Sequence, residues 1–134
     1  MIRTRGWSYL LLLPVFVLLM GARQVPLTDP EPIAIPAGMS AQQVVKAIKA
    51  GLVGRTWEVT EEQPGRILSQ LHLRSHVAKI ELTYDDTAIT IRYLDSVDLM
   101  YEEKKGQRYI HRNYLNWIAN LRTDISRNLV LMSS

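Results

Sequence analysis

The chain has 134 residues, 47% of them hydrophobic and 22% charged, with 16 Lys+Arg against 13 Asp+Glu and no cysteine. That length suits one domain with a single modest core, and the absent thiols exclude a disulfide framework, a cysteine nucleophile, an iron–sulfur cluster and a Cys-ligated zinc site. Arg3 and Arg5 carry most of the positive excess, so the rest of the chain is close to neutral and gives no reason to expect nucleic acid as a partner.

Residues 1–22 read as a signal peptide or N-terminal membrane anchor. Arg3 and Arg5 precede an apolar run from Leu10 to Met20 that only Pro14 interrupts, and a basic n-region before a short apolar h-region is the secretory pattern. As a helix, the uncharged stretch from Gly6 to Ala22 spans about 25 Å at 1.5 Å per residue, a little short of the roughly 30 Å hydrocarbon core. Leu19-Met20-Gly21-Ala22 has the shape of a lipoprotein signal-peptidase box, with alanine where the lipidated cysteine belongs. Arg3 and Arg5 outnumber Arg23, which puts the N-terminus in the cytoplasm and the remainder outside, in the periplasm or cell envelope.

Residues 23–39 read as a linker. Pro26, Pro30, Pro32 and Pro36 favour extended or polyproline geometry, and ~3.1 Å per residue would hold a domain some tens of ångströms from a membrane. The domain itself is expected over 40–131, with a tail at 132–134.

Ser40 followed by Gln43 predicts a capping box, and Val44, Val45, Ile48 and Leu52 form one apolar stripe, with Gly51 and Gly54 ending the helix. Four strands are expected next, at Arg55–Glu61, Arg66–Arg74, Val77–Tyr84 and Thr87–Leu94, joined at Gln63-Pro64-Gly65, Ser75-His76 and Asp85-Asp86. With those loops, Leu73 faces Ala78, Leu71 faces Ile80, Ser69 faces Leu82, Leu82 faces Ile89, and Ile80 faces Ile91. Both registers place apolar residues on a common face, to which the first strand adds Trp57 and Val59. A short fifth strand fits around Leu99–Glu102, before a Lys104-Lys105-Gly106 turn. A second helix is expected from Arg112 to Leu129, with Tyr114, Trp117, Ile118, Leu121 and Ile125 on its apolar side. The fold class is therefore α+β: two layers, an antiparallel four-stranded meander with two helices packed on one face.

The order Ile91-Arg92-Tyr93, Ser96, Leu99, Tyr101, then Ile110-His111-Arg112-Asn113-Tyr114 and Trp117-Ile118 resembles a family of small bacterial envelope lipoproteins. In that family a β-meander precedes a final I-H-x-x-Y-N-x-W helix. The resemblance covers Ser40–Leu129. Two departures are Ala22 for the lipidated cysteine and Leu115 where asparagine is common. The α-β4-α order is also similar to the helix-grip domains of an outer-membrane assembly lipoprotein, in fold alone. The resemblance implies an envelope location and brings no activity with it.

Ser96, His111 and Asp98 supply the hydroxyl, imidazole and carboxylate of a nucleophilic triad, without the Gly-x-Ser-x-Gly elbow. The plainer reading makes His111 a cap or structural hydrogen bond and gives Ser96 and Asp98 a loop to shape. Tyr93, Tyr101, Tyr114 and Trp117 either line a pocket or, as aromatics at core spacing more often do, fill the core. On the opposite sheet face the expected register sets His72, Lys79 and Arg92 side by side, with Arg74 next to them. Lys79 opposite Arg92 is a local like-charge conflict, relieved either by Glu81, the nearest acid, on an ordinary solvated face or by a docked anion. No spacing calls for a metal or a cofactor. The expectation is a non-enzymatic, membrane-tethered binding or assembly module whose partner is an anionic envelope component or envelope protein; the alternative is a small hydrolase using Ser96 and His111.

Overall fold

The computed structural model describes residues 23–133; the expected leader over 1–22 lies outside the described residues. In chain order the elements are β1 (Gln24–Pro26), β2 (Ile33–Ala34), α1 (Ala41–Gly54), β3 (Glu58–Gln63), β4 (Arg66–Leu73), β5 (His76–Tyr84), β6 (Ala88–Val97), β7 (Glu102–Lys104), β8 (Gln107–His111) and α2 (Arg112–Ser133). They build two antiparallel sheets, one of five strands in the order β2-β6-β5-β4-β3 and one of three in the order β1-β8-β7. The α+β class and the four-stranded meander are as expected. The second sheet and the β2 edge are additions to that expectation.

Helix α1 starts where its cap predicts. The Ser40 hydroxyl accepts from the Gln43 N–H at 3.1 Å while the Gln43 side chain accepts from the Ser40 N–H at 2.9 Å. Val44, Ile48 and Leu52 are buried and Val45 is half-buried. Gly51 is not a terminator but a contact point: a Cβ there would stand 2.7 Å from Ile125 Cγ1, so its missing side chain lets α1 and α2 approach. Two polar ties flank that contact. Asn128 donates to the Ala47 carbonyl at 3.2 Å, and the Arg55 guanidinium holds the buried Asp124 carboxylate at 2.7 Å. Helix α2 buries Tyr114, Ile118, Leu121, Ile125 and Leu129, whereas Trp117 is only half-buried against the core. The helix continues through Ser133, so residues 132 and 133 belong to it rather than to a tail.

The meander keeps the expected inner face in a different register. Leu71 pairs with Ala78, Ser69 with Ile80 and Ile67 with Leu82; in the next hairpin Leu82 pairs with Ile91 and Tyr84 with Ile89. Each pairing is displaced by two positions, which preserves the faces because side chains alternate with a period of two. The first displacement arises because the turn is Arg74-Ser75, with Leu73 opposite His76 and Arg74 at φ 58°. The second comes from a longer turn in which the Asp85 carboxylate accepts from the Thr87 and Ala88 N–H groups at 2.7 and 2.9 Å. A bulge near Leu94 then sets Lys79 opposite Asp95. Strand β3 begins at Glu58 rather than Arg55, since Arg55 caps α1 and Thr56 sits at φ 63°. Instead of one strand at Leu99–Glu102 there is a β7–β8 hairpin, turned by Lys105 and Gly106 at φ 50° and 78°. Two successive positive φ values make it a type I′ turn, whose twist suits antiparallel strands.

The expected linker at 23–39 is the largest correction. It is a strap laid across both sheets. Val25 pairs with Ile110, the Asp29 carboxylate accepts from the Tyr93 N–H at 3.0 Å, and Ile33 pairs with Ile89. Leu27, Ile33 and Ile35 are buried. Arg122 of α2 donates to the Glu31 and Pro32 carbonyls at 3.0 and 3.2 Å. The prolines do favour extended chain, and extended chain is what an open strand edge can pair with. Proline composition alone does not distinguish a solvated spacer from an edge strap.

Candidate functional site

The basic sheet face forms in a register other than the expected one. His72, Arg74, Lys79 and Arg92 are all exposed, but the two-position displacement at the β5–β6 turn removes the like-charge pair: Arg92 faces Glu81, and the bulge then sets Lys79 opposite Asp95. Glu81 accepts from Arg66 at 2.6 Å and lies 3.9 Å from Arg92. His72 pairs with Val77. This face is a balanced, solvated mixture of charges and needs no docked anion to relieve it. Arg74 differs from the other three, because it stands in the β4–β5 turn at the end of the sheet.

The aromatic residues come together. Tyr93 stacks on Tyr101 with centroids 4.8 Å apart and meets Tyr114 edge-on at 5.5 Å. Burial raises both the Tyr93 and the Tyr114 phenol above the ordinary tyrosine range, so neither ionises near neutrality. Ser96 and His111 are given separate partners. The Ser96 hydroxyl lies 2.7 Å from the Tyr93 hydroxyl, while His111 Nδ1 accepts from the Asn113 N–H at 3.0 Å. His111 immediately precedes α2, so its ring nitrogen caps the helix as an Asn or Asp side chain would. The hydroxyl, imidazole and carboxylate of the sequence pattern are thus employed in holding structure.

Chemistry concentrates instead at the end of the sheet where the β4–β5 turn meets the loop after β6. Asp98 is its hub. The Ser75 hydroxyl donates to the Asp98 carboxylate, and His76 Nδ1 donates to the Asp98 carbonyl at 2.6 Å. The His76 ring in turn lies 6.4 Å from the Trp117 ring. From the other side the Gln24 amide donates to the Met100 carbonyl at 2.8 Å, and the His111 N–H donates to the Leu99 carbonyl at 2.7 Å. Three non-glycine residues here, Arg74, Asp98 and Met100, hold φ near 58°. Each such conformation costs energy and persists only where surroundings over-determine it. Around this pinned backbone Leu73, Val97 and Met100 expose 45%, 55% and 46% of their surface. Sequence reading singled out Asp98 but missed Ser75, His76 and Met100. None of the left-handed positions is glycine, so the usual turn signal is missing.

Elsewhere, a concavity of about 990 Å³ runs between the outward side of α1 (Val45, Lys46, Lys49, Val53) and the Pro64 turn with Tyr84. A Lys49–Glu62 ion pair of 2.5 Å lies along it.

Comparison with protein-family models, curated proteins and solved structures finds no match to this chain.

Proposed function

We propose that this protein is an exported, non-enzymatic module of the cell envelope, tethered to a membrane by residues 1–22, which binds or helps assemble an envelope component through one end of its larger sheet. One observation carries the binding part of this reading. At the β4–β5 turn and the 97–101 loop, costly backbone conformations are held in place by side-chain and backbone hydrogen bonds while apolar side chains face outward. Strain kept at a surface rather than relaxed is a feature of binding sites, and adjacent exposed apolar side chains point the same way. The Arg3/Arg5 and Leu10–Met20 pattern supports export, as does the resemblance of 91–118 to small envelope lipoproteins.

Among the described residues no helix is long and apolar enough to cross a membrane, so tethering rests on the leader. The test is topological: alkaline phosphatase fused after Ser134 should be active, since it folds only outside the cytoplasm. A stable but inactive fusion would overturn export.

A further inference from the structure

The strap changes how far the domain can stand from a membrane. With residues 23–39 folded, the spacer is gone: the Arg23 carbonyl accepts from the Arg112 N–H at 2.8 Å, and β1 starts at Gln24. Only three residue steps separate Met20, the last residue of the apolar run, from Arg23. At most ~3.6 Å per residue, that is a reach of roughly 10 Å. Whatever surrounds Arg23 must therefore sit at the membrane surface if the leader is in the membrane.

A chain of contacts identifies those surroundings. Gln24 holds the Met100 carbonyl; two residues back, Asp98 is bound by Ser75 and His76; and Leu73 pairs with His76 across the turn. Val97 lies opposite Val77 at the same end. The exposed residues Leu73, Val97 and Met100 thus lie at the end of the sheet where the leader joins, Leu73 on the same face as Leu71 and Val97 opposite Val77 on the other. Arg23, Arg74 and Arg112 stand among them, all exposed, and among the described residues their guanidinium groups make no ion pair. Of the neighbouring carboxylates, Glu102 is paired with Lys104 at 2.9 Å, while Asp98, held by the Ser75 hydroxyl, keeps its charge and is outnumbered by the three arginines. Exposed apolar side chains at headgroup depth, with arginines at the same end, suit a lipid interface, and juxtamembrane cations are drawn to anionic leaflets.

We propose that the end of the sheet carrying Leu73, Arg74, Val97 and Met100 lies directly on an anionic lipid surface, so that the leader and this end hold the domain in one orientation. The proposal rests on the tethered reading above and adds the orientation and the lipid class.

The absence of cysteine from the whole chain makes single-cysteine labelling clean. The full chain carrying Leu73→Cys, Met100→Cys or, at the opposite end of the sheet, Asp86→Cys would be labelled with a fluorophore. Each would then be reconstituted into phosphatidylcholine/phosphatidylglycerol vesicles containing nitroxide-headgroup lipid. Quenching at positions 73 and 100 should exceed that at 86 severalfold. Arg74→Asn with Arg112→Gln should abolish the excess quenching on anionic over neutral vesicles. If the chain floats with vesicles yet all three labels are quenched alike, the orientation is overturned and the tether stands. If the chain does not float with vesicles, the tether fails and the orientation falls with it. If anionic and neutral vesicles quench equally, the anionic assignment is overturned. Shielding of positions 73 and 100 in native envelopes but not in vesicles would mean that this end meets a protein, which also overturns the proposal.

Discussion

Single residues carry identifiable strains and supports, and these can be measured. Thr56 is β-branched yet holds φ 63° just past α1. Relief of a non-glycine left-handed conformation is worth roughly 1–2 kcal/mol, more than the ~0.5–1 kcal/mol of backbone entropy that glycine adds. Thr56→Gly should therefore raise the melting midpoint, and a fall would show that the Thr56 side chain contributes more than its strain costs. His111 caps α2 through Nδ1. His111→Ala should lose about 1 kcal/mol of stability, and His111→Asn, which also offers an acceptor, should recover most of it. A catalytic imidazole would not be replaced so easily. Along α2, Leu121 is fully buried and Leu121→Ala should cost about 2–5 kcal/mol in urea denaturation. Trp117→Ala should cost less than Leu121→Ala relative to side-chain size, because the indole is half-buried.

At the scale of elements, the strap and the helix pair are held by polar contacts that respond to different perturbations. Asp29 receives the Tyr93 N–H and lies 3.7 Å from Arg108. In Asp29→Ala the Tyr93 amide should exchange with deuterium faster than its β6 neighbours, because its acceptor is gone. Between the helices, the Arg55 guanidinium beside Asp124 holds that carboxyl below the usual carboxylate range. At the β5–β6 turn, the Thr87 and Ala88 N–H groups do the same for Asp85. A depressed folded-state pKa stabilises the fold above the unfolded value of about 3.9 and loses that contribution as pH falls through the folded value. Acid titration of stability should show this loss below about pH 4. Asp124→Asn should be less stable at neutral pH and have a shallower acid limb than the parent. Equal acid limbs would remove Asp124 from the account. Strand β3, the outer edge of the larger sheet, carries Glu58, Glu61 and Glu62 and a bulge at Thr60. Both devices discourage pairing with a further strand along this edge.

For the molecule as a whole, the strap matters most. It pairs with β8 of the small sheet and β6 of the large one and is gripped by α2, so neither sheet should open without disturbing the other. Urea unfolding followed by far-UV circular dichroism and by tryptophan fluorescence should give coincident transitions; separate midpoints would show the three-stranded sheet unfolding by itself. On the tethered reading proposed above, the same strap would also set how far the membrane stands from the domain. A spacer of tens of ångströms would let the domain sample any orientation, whereas a domain joined within ~10 Å of the bilayer presents one end to it. Electrostatic attraction at that end should weaken with salt, because charges are screened over ~8 Å at physiological ionic strength.

What the sequence determined by itself was local and periodic. The Ser40–Gln43 box located the start of α1, the 3- and 4-residue spacing located both helices, and alternation located the inner face of the meander, because each signal lies within a few consecutive residues. Inward and outward faces survived a wrong turn assignment, since the error was an even number of positions. Four features depended on partners distant in the chain, and only the tertiary structure decided them. Whether the prolines of 23–39 make a spacer or a strap depends on the open edges of β6 and β8. Whether Gly51 ends a helix or admits one depends on Ile125. Whether Lys79 faces Arg92 depends on how β5 and β6 come into register, which stands two positions from the expected one. The cluster of Asp98, Ser75 and His76 exists because two turns meet, at backbone angles which Arg74, Asp98 and Met100 would not adopt alone. Short-range preference can be read residue by residue, but a long-range contact becomes favourable only when both surfaces are already in place.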